Sequence, residues 1–148
     1  MYCIRNERNM RFHTVAAFYV ILFSSFFNLS RGSFLILMLT ISAVMTAEMV
    51  NTAIERISDI IASDYNLLAR IVKDLAAGAV MLSAIFSVVI GIITFSDLRV
   101  YKRILEYFVN YPIMLLMLVI SIVLSVIYIN IGPKGIKDRL KFLKLKRK

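Results

Sequence analysis

Residues 47–59 read Ala47-Glu48-Met49-Val50-Asn51-Thr52-Ala53-Ile54-Glu55-Arg56-Ile57-Ser58-Asp59, and the sixteen residues Gly32 to Ala47 that lead into this stretch carry no charge. Glu48, Asn51, Glu55 and Asp59 are spaced i, i+3, i+7 and i+11, which on an α-helix forms one polar stripe. Met49, Val50, Ala53, Ile57 and Ile60 fall on the opposite face. A carboxylate entering the end of an apolar helix is costly. Its default reading is a functional site, with a structural hydrogen-bonder as the alternative.

Composition supports a membrane setting for that helix. Hydrophobic residues make up 60% of 148 residues, with a mean hydropathy of +0.81, and the charges fall in short blocks. That excludes an ordinary soluble fold and indicates an all-α integral membrane protein. Cys3 is the single cysteine, so no intrachain disulfide can form. The net charge of +9 raises the possibility of a nucleic-acid partner, but eight of the eighteen basic residues lie in the last fifteen positions. Such a tail suits anionic lipid headgroups, and no nucleic acid is expected.

Outward from the stripe, four apolar runs are expected to span: about 12–29, 33–62, 67–95 and 112–131. Phe12 to Leu29 resembles a signal peptide in length, but no small-x-small cleavage site follows it. Arg31-Gly32 is a tight turn that returns the second helix antiparallel. That helix, roughly 43 Å long at 1.5 Å per residue, exceeds a hydrocarbon core of about 30 Å, so its stripe passes from the membrane edge into water. Ser63-Asp64-Tyr65-Asn66 has turn and capping chemistry. Ala79, Ser83, Ser87 and Gly91 on the third helix form a small-residue ladder suited to close packing in lipid. Residues 97–111 read as an interfacial connector, Pro112 suits a helix start, and Gly132-Pro133 is expected to end the fourth helix before a basic tail, 132–148. With both termini cytoplasmic, fourteen Lys/Arg lie inside and four outside.

That orientation gathers Glu7, Glu48, Glu55, Asp59, Asp64 and Asp74, six of the nine acidic residues, at one face. Carboxylates without a Cys or His cluster suit a hard cation such as Mg²⁺. Lys73 beside Asp74 offers a point charge for phosphate. Metal, cation and base are what phosphoryl transfer requires, and Glu48, partly withdrawn from water, suits the base. No glycine-rich or Walker-type sequence occurs, so a P-loop or protein-kinase site is excluded.

Three blocks carry a resemblance: Asn6-Glu7-Arg8-Asn9-Met10-Arg11-Phe12-His13, Ala47 to Glu55 with Asp59, and Val72-Lys73-Asp74-Leu75-Ala76-Ala77-Gly78-Ala79-Val80. In residue type and spacing, from about residue 6 to 95, they resemble the small bacterial integral-membrane lipid kinases, the diacylglycerol and undecaprenol kinase group. The Glu-Arg-Asn-x-x-x-His pattern is more similar to the undecaprenol kinases.

The resemblance implies a homotrimer in the bacterial cell membrane. Each protomer would have a three-helix lipid-kinase core, residues 1–96, here with a fourth transmembrane helix added. It would transfer the γ-phosphate of MgATP to the hydroxyl of a lipid alcohol, undecaprenol being favoured over diacylglycerol. By position, Glu48 is the implied catalytic base, and Glu7 and Glu55 are the implied metal ligands. The implied nucleotide contacts are Glu7, Glu55, Asp64, Tyr65, Asn66, Lys73 and Asp74. Asn51 and Asp59 support the site, while Asn9, Met10, Arg11, Phe12, His13 and Phe34, with Glu48, line the lipid site. On its residues alone, His13 also reads as an ordinary interfacial side chain. Asn66 stands where the family usually has histidine. The family's amphipathic surface helix has only Met1 to Arg5 as a counterpart, so that lid is expected to be absent or the start of the chain lost. No phosphatase motif marks the extra helix. A catalytically impaired relative and a non-enzymatic scaffold or transport subunit remain the alternatives.

Overall fold

Every element of the described chain is a helix. The structure, a computed structural model, describes residues 2–61 and 66–145, except the side chains of Lys134 and of residues 136–145. In order the helices are α1 (Tyr2–Asn6), α2 (Arg8–Ser24), α3 (Arg31–Ile61), α4 (Leu67–Thr94), α5 (Leu98–Asn110) and α6 (Pro112–Leu145). They form two units, one of residues 19–96 and one of residues 1–18 with 97–148.

In the first unit α3 and α4 pack along each other, and their short link makes them an antiparallel pair. Leu37, Val44 and Ala76 are buried. The face of α3 opposite the stripe is not: Met49, Val50, Ile57 and Ile60 are all exposed, Ile60 at 82%. A helix that buries Glu48 and exposes Ile57 and Ile60 is arranged for lipid rather than water. The Asn66 side chain caps α4, accepting from Leu68 N at 2.9 Å and Ala69 N at 3.4 Å. At the other end the Phe27 and Phe95 rings meet edge to face at 4.9 Å, tying the α2–α3 turn to the end of α4. On the α4 ladder, a Cβ added at Gly91 would meet nothing within 4 Å, as would one at Gly78. At these glycines no group of the described chain packs closely.

Among the described residues three helices have the length and apolar composition to cross a membrane: α3, α4 and the Pro112–Pro133 part of α6. The first apolar run, expected over 12–29, is helical in α2, which has 17 residues and ends at Ser24. The hydroxyls of Ser24 and Ser25 donate back to the Ile21 and Leu22 carbonyls, and Asn28 takes φ 45, a left-handed value asparagine tolerates. These local bonds turn the chain while its composition is still apolar.

In the second unit the expected connector is a helix, α5. Asp97 caps it through Arg99 N at 3.0 Å. The Arg99 guanidinium beside the same carboxyl holds it below the usual carboxylate range. Val100 is buried, and α5 packs on α6. Pro112 opens α6, where a missing N–H costs nothing. At Gly132 the backbone leaves helical geometry, with φ 68 and ψ 170, and a helical path then resumes to Leu145 where a plain tail was expected. Two helical stretches thus meet at Gly132, the place where the fourth helix was expected to end.

Candidate functional site

The α3 stripe is the polar interior of the first unit. Glu48 is 3% exposed and Asn51 8%, Glu55 is half-buried, and Asp59 is open to solvent. The stripe therefore grades from buried to wet along one helix face. Asn51 Nδ2 donates to Glu55 Oε1 at 2.9 Å, one turn on. Its amide oxygen is buried with no hydrogen-bond partner among the described residues. An orphaned buried oxygen costs free energy, so its retention calls for an explanation, and an unfilled ligand role is one.

Two residues that the sequence reading passed over belong to the same face. Thr52 is buried and its hydroxyl donates to the Glu48 carbonyl at 3.0 Å, while Ser58 is 8% exposed. Both lie at helical spacing from the stripe, Thr52 four residues after Glu48 and Ser58 three after Glu55. Periodicity could have found them.

Facing the wet end, α4 contributes cations. Lys73 Nζ donates to Asp59 Oδ1 at 2.5 Å, joining α4 to α3. Arg70 Nε lies 3.9 Å from Asp74 Oδ2 on the exposed surface of α4. Ser58, Asp59, Asn66, Arg70, Lys73 and Asp74 line a hollow of about 300 Å³. Arg70 is a further site candidate that the expected nucleotide contacts omitted. The hollow is polar and open, and it presents two cations, Arg70 and Lys73, each beside a carboxylate, Asp74 and Asp59.

Other expected site residues are placed as follows. Asp64 and Tyr65 lie outside the described residues. Asn66 lines the hollow while its oxygen caps α4. Phe34 is exposed on α3. Glu7, half-buried, sits in the one-residue break between α1 and α2, its N–H bonded to the Cys3 carbonyl. Asn9 and Phe12 are exposed, Met10 is buried, and the rings of Phe12 and His13 meet at 5.7 Å. Arg11 is buried, its guanidinium held by the Ile129 and Ile4 carbonyls. Among the described residues no three His, Cys, Asp or Glu side chains gather as a ready metal cage. The Asn51–Glu55 pair still fits a hard cation, since it presents a carboxylate and an unpartnered amide oxygen on one helical turn.

Fold and site together define a multi-pass helical membrane protein, with a polar stripe that grades from buried Glu48 to exposed Asp59 and a hollow at its wet end. Comparison with known proteins narrows that class. The family of description "Prokaryotic diacylglycerol kinase" matches residues 1–95. The chain belongs to the prokaryotic diacylglycerol kinase family and is a membrane lipid kinase. Over 91 residues it is 40% identical to the undecaprenol kinase of Bacillus subtilis, covering 62% of this chain and 74% of that protein. It is 41% identical over 91 residues to the diacylglycerol kinase of a Synechocystis species, covering 61% of this chain and about half, 52%, of that protein. No solved structure matches the chain.

Proposed function

We propose that the protein transfers the γ-phosphate of MgATP to the hydroxyl of a membrane lipid alcohol at the cytoplasmic face. The observation that carries this reading is the graded stripe of α3, buried at Glu48 and wet at Asp59, with Lys73 bound at its wet end. A lipid hydroxyl reaches such a stripe by lateral diffusion, leaving its chains in the bilayer, while nucleotide arrives from water. A soluble alcohol gains nothing from that placement.

Glu48 is the base. It takes the hydroxyl proton as the lipid oxygen bonds to the γ-phosphorus and the bond from that phosphorus to the ADP oxygen breaks. Lys73 and Arg70 hold phosphate oxygens at the hollow, Lys73 as a point charge and Arg70 through its planar fork. Glu55 and Asn51 would hold the Mg²⁺ of the nucleotide through hard oxygens, and the family resemblance assigns Glu7 the role of a further ligand. The cation, when bound, spreads the charge of the transferring phosphoryl group. Asp59 keeps Lys73 at the stripe. Asn9, Phe12 and His13 form a lipid-facing strip, and the family resemblance assigns Phe34 to lipid contact and Asp64, Tyr65 and Asn66 to the nucleotide.

The preferred acceptor is a polyprenol such as undecaprenol, with diacylglycerol the poorer substrate. The two relatives bear one name each and are equally similar to this chain, so that preference rests on the Glu7-Arg8-Asn9 and His13 pattern. The active form is a homotrimer with both termini cytoplasmic, an orientation that the Lys/Arg distribution supports. Purified protein given labelled ATP and either lipid in parallel tests the reading. Higher kcat/KM for undecaprenol is expected. A water-soluble alcohol phosphorylated better than either lipid refutes the lipid-alcohol reading, and a clear advantage for diacylglycerol refutes the polyprenol preference alone.

A further inference from the structure

Arg11 is a charged residue in a buried seat that phosphoryl transfer does not explain. It is 6% exposed, and its Nε donates to the Ile129 carbonyl at 2.9 Å while its Nη1 donates to the Ile4 carbonyl at 3.4 Å. One guanidinium thus links α1, α2 and α6, and the residues it joins, Ile4, Arg11 and Ile129, all lie within the unit of residues 1–18 and 97–148.

The acceptor on α6 has a specific defect. A helical carbonyl is normally bonded by the N–H four residues on, and for Ile129 that residue is Pro133, which has none. The residue beside it is just as specific. Gly132 is buried and holds φ 68 with ψ 170, a conformation that belongs essentially to glycine alone. A Cβ there would stand 3.0 Å from Arg11 Cζ and Nη1. Pro133 therefore frees an acceptor, Gly132 clears the space beside it, and the Arg11 fork fills that space and bonds that acceptor. An arginine does this better than a lysine because its planar fork serves two carbonyls at once.

We propose that Arg11 is a positioning residue that latches α6 onto the N-terminal helices through the Gly132-Pro133 kink, and so holds the Asn9–His13 strip in place for lipid. Helix α6 lies beyond residues 1–95, so the latch recruits an element outside the family match to the core's own N-terminal strip. The latch itself is independent of the kinase reading, whereas its effect on lipid rests on that reading.

Cys3 is the reporter. It is the one cysteine of the chain, half-buried in α1 beside Ile4, and α1 packs on α6. Its maleimide labelling rate is measured in the purified full chain and in Arg11→Met, Arg11→Lys, Gly132→Ala and the double variant Arg11→Met/Gly132→Ala. Arg11→Met and Gly132→Ala are each expected to speed labelling roughly tenfold, the factor for losing a hydrogen bond from a charged donor. The double variant should be no faster than the faster single, since both remove one contact. Arg11→Lys should fall between parent and Arg11→Met. In the same proteins the KM for lipid should rise while the KM for MgATP stays put.

Parent-rate labelling in both Arg11→Met and Gly132→Ala overturns the latch, and so do effects that multiply in the double variant. If Arg11→Met cannot be recovered from the membrane, parent-rate labelling in Gly132→Ala alone overturns it. Faster labelling with an unchanged lipid KM establishes the latch and overturns its role in lipid presentation. A parent protein without kinase activity refutes the kinase reading, and the labelling rates still decide the latch.

Discussion

Asn51→Leu separates a strut from a site. In the folded chain Asn51 makes one side-chain bond, to Glu55 Oε1 at 2.9 Å, and buries one oxygen without a partner. The bond, to a charged acceptor, contributes about 1.5–3 kcal/mol, and the orphaned oxygen costs about 1–3 kcal/mol. Leucine removes both at similar volume, and water can reach the half-buried Glu55 carboxylate to replace the lost donor. The two effects nearly cancel, so stability should change by less than about 1 kcal/mol, a melting shift of about 4 °C or less for a chain of this size. Turnover should nevertheless fall roughly tenfold or more, because an oxygen of the site is gone and Glu55 has lost the amide that orients it. Thermal unfolding in detergent and phosphate transfer to lipid are measured on one preparation. A loss of more than about 3 kcal/mol with normal turnover in the surviving protein would show that the amide is only a strut.

Glu7→Ala and Glu55→Ala should each weaken Mg²⁺-dependent nucleotide binding by removing a hard oxygen ligand. Titration of nucleotide with and without Mg²⁺ checks this, and parent-like binding by both variants places the cation elsewhere. Lys73→Met should raise the KM for MgATP roughly tenfold through loss of a charged phosphate contact, with kcat less affected. An unchanged KM limits Lys73 to its bond with Asp59. A reporter fused after Lys148 should be active in the cytoplasm, and activity only outside the cell reverses the proposed orientation.

Much of α3 was legible because its signal is local. A charge-free run followed by polar residues at helical spacing specifies both a membrane helix and its buried face. The burial of Glu48 and Asn51 and the exposure of Met49, Val50, Ile57 and Ile60 follow from that spacing. Thr52 and Ser58 share the pattern and were missed because hydroxyls read as neutral in an apolar run. The end of α2 was not legible from hydropathy, since serine back-bonding and the left-handed Asn28 turn the chain before the apolar residues run out. Residues 97–111 looked like a connector because charges interrupt them. Those charges, Arg99, Lys102, Arg103 and Glu106, fall on one helical face, and the Asp97 cap starts that helix. The seat of Arg11 had no local signal at all, because its partner Ile129 lies 118 residues away.

The most direct measurement is turnover of Glu48→Gln. Glutamine keeps the size and the buried polar character of the side chain and removes only its ability to accept a proton at neutral pH. With labelled ATP and undecaprenol, phosphate incorporation into extracted lipid should fall on the order of 10²–10⁴-fold, the usual range for losing a general base. The KM for MgATP and the thermal stability should stay near parent values. Turnover close to that of the parent in a folded Glu48→Gln protein would contradict the central claim that Glu48 takes the lipid proton.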